Sequence, residues 1–166
     1  MKKTLIYIIL SSLFLTGCMS KKSWFGKSEK HTEDKIRRVF VFMNTPNDEK
    51  YANKFMECLK VKFEENNIPF HYYLQQKMDL TNSDDIKKMI TDFRATHYIT
   101  ISKHSTFDDG VSNYITFEAI LNNTQTGSKV WEGYLNLNLG IIKKANQAQN
   151  DAALFVEELK SNKLID

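Results

Sequence analysis

The chain begins with Lys2 and Lys3, runs apolar from Leu5 to Leu15 with only Tyr7, Ser11 and Ser12 interrupting, and turns polar and lysine-rich after Cys18. That stretch is short of the roughly 20 apolar residues that cross a bilayer, so residues 1–17 read as a cleaved targeting segment. Met19 to Lys35 follows, rich in Lys, Ser, Glu and His and without apolar periodicity, which predicts a flexible tether over residues 18–35. Trp24 and Phe25 interrupt its polar composition. They either dip into a membrane interface beside Lys21, Lys22 and Lys27 or fold back on the domain.

From residue 36 to 166 the pattern is that of one domain. Val39 to Met43 is a continuous apolar run, as in a strand covered on both faces. Thr45 as N-cap, Pro46 at the first helical position and the acids Asp48 and Glu49 predict a helix start. Tyr51, Phe55, Leu59 and Phe63 then make an apolar stripe at helical spacing, flanked by Ala52 and Cys58, and Asn66-Asn67 ends it. Phe70 to Leu74 reads as a second strand. Ser83, Asp84 and Asp85 open a second helix, whose Ile86, Met89, Ile90 and Phe93 form one face.

His97 to Ser102 alternates as a third strand, and Ser105 to Asn113 reads as a loop around Asp109-Gly110. Two long alternating strands follow, joined by a turn at Thr126-Gly127, with Ile115, Phe117, Ala119 and Leu121 facing the same side as Trp131, Gly133, Leu135 and Leu137. Ala148, Ala152, Phe155, Val156 and Leu159 outline a final helix. The order β-α-β-α-β-β-β-α predicts an α/β (α+β) domain: a mixed five-stranded sheet, its first three strands parallel, with a C-terminal hairpin and a final helix packed on the sheet.

Composition narrows the function. The 166 residues carry a net charge of +3, and loss of Lys2 and Lys3 with the leader leaves 21 basic against 20 acidic side chains. So balanced a chain lacks the basic excess that nucleic acid binding uses. Of the two cysteines, Cys18 closes the leader, and Cys58 falls on the apolar side of a helix, where it acts as a small buried residue.

Catalytic signatures are absent: there is no G-x-S-x-G, H-E-x-x-H, C-x-x-C, Walker or dinucleotide pattern, and the six glycines are scattered. His97, His104, Asp108 and Asp109 are the nearest approach to a metal or acid/base constellation. The two histidines are seven residues apart on an extended segment, which places them on opposite faces and roughly 23 Å apart. His71, beside Phe70, Tyr72 and Tyr73, reads as a strand residue. No enzyme activity, metal or cofactor is expected. His104, Phe107, Asp108, Asp109 and Tyr114 are the candidate partner contacts.

Leu15-Thr16-Gly17-Cys18 matches, position by position, the cleavage box of bacterial lipoproteins, and the leader resembles theirs. The resemblance implies cleavage before Cys18, diacylglycerol on its sulfur and a fatty acyl chain such as palmitate on its amino group. Stable anchoring takes two or more chains, each buried methylene contributing about 0.8 kcal/mol. In lipoproteins of Gram-negative type an Asp after the cysteine favours inner-membrane retention. Met19 stands there instead, which implies the outer membrane, facing the periplasm.

The element order, together with Thr126-Gly127-Ser128-Lys129-Val130-Trp131-Glu132-Gly133, resembles small envelope lipoproteins similar to the TolB N-terminal domain and LpoB, in topology only. What this implies is a non-catalytic accessory domain that docks onto an envelope protein or assembly. The alternative is a small-molecule or lipid-binding module of the cell envelope with a cavity lined by Phe117, Leu135 and Phe155.

Overall fold

A computed structural model describes residues 24–28, 35–44, 49–76, 79–108, 113–138 and 144–166. Its elements are β1 (Trp24–Ser28), β2 (Val39–Asn44), α1 (Glu49–Glu65), β3 (Phe70–Gln75), α2 (Ser83–Asp92), β4 (His97–Asp108), β5 (Asn113–Asn123), β6 (Lys129–Asn138) and α3 (Lys144–Ser161). The fold is α/β, with the five expected strands and three helices in the expected order. One strand more joins the sheet, whose order is β1-β6-β5-β4-β2-β3. β3 and β4 flank β2 in parallel, and β4, β5, β6 and β1 are antiparallel neighbours.

Local chemistry accounts for most boundaries. Asn82, one residue ahead of the expected start, caps α2: its side chain accepts from the amides of Asp84 and Asp85, and Asp85 accepts from the Asn82 amide, closing a capping box. Asn67 takes φ 57° just beyond α1, the left-handed conformation that ends a helix. Gly127, at φ 68°, makes the β5–β6 turn, where Asn123 accepts from the amides of Gln125 and Thr126. Thr45 and Pro46 lie outside the described residues.

Two layers of helix enclose part of the sheet. On one face α1 and α3 bury Val39, Val41, Met43, Ile99, Ile101, Leu121, Trp131 and Leu135 in the main core. On the other, α2 lays Ile86, Met89, Ile90 and Phe93 over Phe40, Phe42, Tyr73 and Tyr98, a second, smaller cluster. This double cover explains the unbroken apolar run of β2. It also divides the tyrosine pair, Tyr72 packing against the main core and Tyr73 against α2. Arg38 fastens that end, its guanidinium donating to the Phe93 carbonyl at 3.1 Å and lying over the Phe93 ring at 5.4 Å.

Trp131 is the pivot of the main core. Its indole is fully buried, meets Phe155 of α3 edge-on at 5.6 Å, and lies flat over Gly133 and over Gly26 of β1. A Cβ at either glycine would overlap atoms of the ring, so both positions exclude a side chain. The indole Nε1 has no hydrogen-bond partner among the described residues, a cost of about 1–3 kcal/mol set against the ring's large apolar burial. α1 and α3 are pinned to each other by a buried bond, Tyr51 hydroxyl to Asp151 Oδ2, at 2.9 Å.

Two expectations change. The segment read wholly as tether contributes β1, because Gly26 offers the flat backbone that Trp131 requires as a neighbour. Ser105 to Asp108, read as loop, extends β4 past a bulge at His104, where Lys103 pairs with Phe117 and Ser105 with Thr116. The bulge breaks the period-2 pattern that marks a strand in sequence. The chain end also docks: Leu164 and Ile165 are buried, and the Leu164 carbonyl accepts from the Ile36 amide at 2.9 Å. Among the described residues no helix is long and apolar enough to cross a membrane.

Phe155→Ala is predicted to lose about 3–5 kcal/mol of unfolding free energy in urea denaturation, since it opens a cavity against Trp131 and Phe55. Leu80→Ser, at a side chain 96% exposed, is predicted to change the same measurement by less than about 0.5 kcal/mol.

Candidate functional site

The face of β4, β5 and β6 turned away from α1 and α3 holds the side chains left over once the core is filled. α2 covers the β2–β3 side and the start of β4, through Tyr98. Beyond it the sheet presents Thr100, Ser102, Tyr114, Thr116, Glu118, Ile120, Glu132 and Tyr134, all half-buried among one another, and Asn136, exposed. Phe107, opposite Tyr114 in the hairpin, is 61% exposed. An aromatic ring held by a rigid sheet and open to water is the feature of this face that burial does not explain.

Four residues along β5 from Tyr114, on the same face, lies a polar cluster around Glu118 and Tyr134. The Tyr134 hydroxyl shares its proton between Glu132 and Glu118, the latter at 3.1 Å. Lys129 Nζ binds Glu132 Oε2 at 2.7 Å. His104, thrust out by the bulge, stacks edge-on against Tyr134 at 5.3 Å and puts Nδ1 4.0 Å from Glu118, an ion pair only when the ring is protonated. The Lys129 ammonium, then the Tyr134 hydroxyl, hold the Glu132 carboxyl below the usual carboxylate range. Glu132 and then Glu118 hold the Tyr134 phenol well above its ordinary value. A phenol so bound is a fixed hydrogen-bond donor and not a base at neutral pH.

The structure separates the other sequence candidates. His97 is buried at the start of β4, with Nδ1 3.1 Å from the Thr96 hydroxyl, while His104 is exposed near the opposite end. The backbone of Asp108 pairs with Asn113; Asp109 and Cys18 lie outside the described residues. His71 is exposed, its ring near Phe40 and Phe93. Among the described residues no group of three or more His, Cys, Asp or Glu is placed to hold a metal ion. Of the candidate contacts, Phe107 and Tyr114 are opposite one another across the β4–β5 ladder, and His104 lies on the same hairpin.

Glu118, Glu132 and Tyr134 were not singled out from sequence. Their alternation with the core residues of β5 and β6 put them on the outer face, but the register Glu118↔Tyr134 and Ile120↔Glu132 is what brings them together. A second polar knot, Tyr73 hydroxyl with Asp79 and with Thr81 at 2.5 Å, fixes the loop ahead of α2. The Thr81 hydroxyl and then Tyr73 lower the Asp79 carboxyl below its ordinary range.

At the opposite end of the β4–β5 hairpin a groove of about 400 Å³ is lined by Lys35, Arg37, Ala95, Thr96, Asn123, Thr124 and Gln125. Phe117, Leu135 and Phe155 are the residues expected to line a ligand cavity. Those three are buried in the main core, where Trp131 fills the space against Phe155.

No protein-family model matches the chain, and no curated protein matches it in sequence. Solved structures resemble it in fold. The PelC dodecamer of Paraburkholderia phytofirmans aligns over 86% of this chain and 98% of its own, at 10% identity and TM-score 0.55. A point variant of the same protein, also a dodecamer, gives 12% identity and TM-score 0.56 over the same shares. Lipoprotein GNA1162 of Neisseria meningitidis aligns over 75% of this chain and 98% of its own, at 12% identity and TM-score 0.43. At these identities the likeness to PelC is one of fold.

Because Glu132 ionises more readily in the folded state, the stability it contributes is present above its unfolded pKa and is lost as pH falls through the folded value. Glu132→Gln is therefore predicted to unfold more easily than wild type at pH 7, by less than about 1 kcal/mol, and to match it in strongly acidic buffer. Urea titrations at the two pH values check the convergence.

Proposed function

We propose that the protein is a lipid-anchored, non-catalytic accessory domain of a bacterial cell envelope that docks onto an envelope protein or assembly through the open face of β4, β5 and β6. The observation that carries this reading is Phe107, 61% exposed on β4 opposite Tyr114, at the end of a face that no helix covers among the described residues. Interfaces are built from aromatic anchors with a polar surround, and Glu118, Glu132, Tyr134 and His104 supply that surround.

The anchor is Cys18, carrying diacylglycerol on its sulfur and a fatty acyl chain on its nitrogen after cleavage of residues 1–17, and the membrane is the outer membrane with the domain on its periplasmic side. The lipoprotein box Leu15-Thr16-Gly17-Cys18 supports this. The fold shared with PelC, which forms a dodecamer, supports a role inside a larger assembly and makes further copies of this chain one partner to test.

Mass spectrometry of the protein purified from its own membranes is predicted to show Cys18 as the first residue, with the added mass of acyl chains, and Cys18→Ala is predicted to leave the membrane fraction. Phe107→Asp with Tyr114→Asp is predicted to keep the wild-type melting temperature within a few degrees, both side chains being on the outer face. The same pair is expected to abolish the cross-links that a photoreactive residue at Thr116 forms in cells. Cross-links that persist unchanged in the charged variant would move the docking surface elsewhere.

A further inference from the structure

A segment with the composition of a tether forms the edge strand β1, and this shortens the distance between the domain and its N-terminal cysteine. Among the described residues, 24–28 pair with β6 alone, as the outermost strand, in the register Trp24↔Leu135 to Ser28↔Trp131. Gly26 rests on the Trp131 indole, where any side chain would collide, so the sequence of β1 is fitted to this place. With β1 docked, the number of residues between Cys18 and the sheet falls from seventeen, Met19–Lys35, to five, Met19–Ser23. The greatest reach of that segment falls from about 55 Å to about 20 Å.

Direction follows from register. β1 runs antiparallel to β6, and its first residue lies opposite Leu135, in the row of Phe117, towards the end of the sheet that holds Tyr114 and Phe107. From that row back to Asn123 is about 20 Å along β5, the full length of the shortened tether. A lipid on Cys18 therefore reaches the Phe107 end easily and cannot pass beyond the groove end.

We propose that β1 is a strap: its pairing with β6 holds the domain close to the bilayer with the Phe107–Tyr114 end of the β4–β5 hairpin towards it. This rests on the reading that Cys18 carries lipid. Releasing the strap breaks the five-residue edge pairing and the contacts of β1 with α3, uncovers the Trp131 ring at Gly26, and leaves β6 as the edge of the remaining strands β6-β5-β4-β2-β3. A docked strap confines the domain to partners near the membrane surface, at high effective concentration, and a released one lets it search further out.

The test uses the lipid-bearing full chain in phosphatidylethanolamine and phosphatidylglycerol vesicles that contain an acceptor-labelled lipid. A donor dye is placed at Phe107→Cys or at Gln125→Cys, both in a Cys58→Ala background. The two sites are about 30 Å apart along the hairpin. Energy transfer is expected to be several-fold stronger from position 107 than from position 125. Replacing residues 24–28 by Gly and Ser at constant length is expected to remove that difference, and Gly26→Val to weaken it, with amide exchange over 24–28 rising in both.

Equal transfer from the two sites in the wild-type sequence, or a difference that survives the Gly-Ser replacement, overturns the strap. Exchange over 24–28 as fast as in an unfolded peptide also overturns it. If the protein carries no acyl chain and fails to bind vesicles at all, the lipid-anchor reading falls and the strap with it. Vesicle-bound protein with equal transfer removes the strap alone.

Discussion

One indole ring sets the shape of half this domain. The Trp131 ring leans along the core face of β6 over Gly133, two residues on, and over Gly26, the partner of Gly133 on β1, and leaves no room for a side chain at either position. In return the ring joins three elements, the sheet through β6, the edge strand through Gly26 and the covering helix through Phe155. Close packing of this kind leaves few alternatives: a methyl group at Gly133 or at Gly26 would overlap atoms of the ring, and one or the other must give way.

The remaining core follows from how the helices are distributed. α1 and α3 lie together on one face, bound by the buried pair Tyr51 and Asp151, and take up the apolar side of every strand from β2 to β6. α2 is ten residues long and covers the β2–β3 side of the other face and the start of β4. Strands β4, β5 and β6 are left with a mixed solvent face on which Tyr114, Tyr134 and Phe107 stand among hydroxyl side chains and the acids Glu118 and Glu132. It is satisfied internally by the Tyr134, Glu132, Lys129 network yet open at Phe107. Asymmetric cover of a sheet therefore creates the surface through which the domain is proposed to act.

Helices and core strands were legible because their periods are strong. The stripe from Tyr51 to Phe63, the alternation from Ile115 to Leu121 and the turn at Gly127 each carry a local signal that tertiary packing reinforced. β1 was not legible: Trp24 to Ser28 has the composition of a tether, and what makes it a strand is the flat face of an indole more than a hundred residues away. The outer half of β4 was hidden by a bulge that shifts the alternation by one residue at His104. The polar cluster was hidden by register, since Glu118 and Tyr134 are sixteen residues apart and adjacent only across a ladder.

By itself the sequence determined the class of the domain, the order of its main elements and most residues of its core, because each is encoded within a window of a few turns or one strand. Only the tertiary structure decided which face stays open, which strand closes the sheet and which side chains meet at Tyr134. Those outcomes depend on strand register and on the space left beneath α3, and both are set by contacts between segments far apart in the chain.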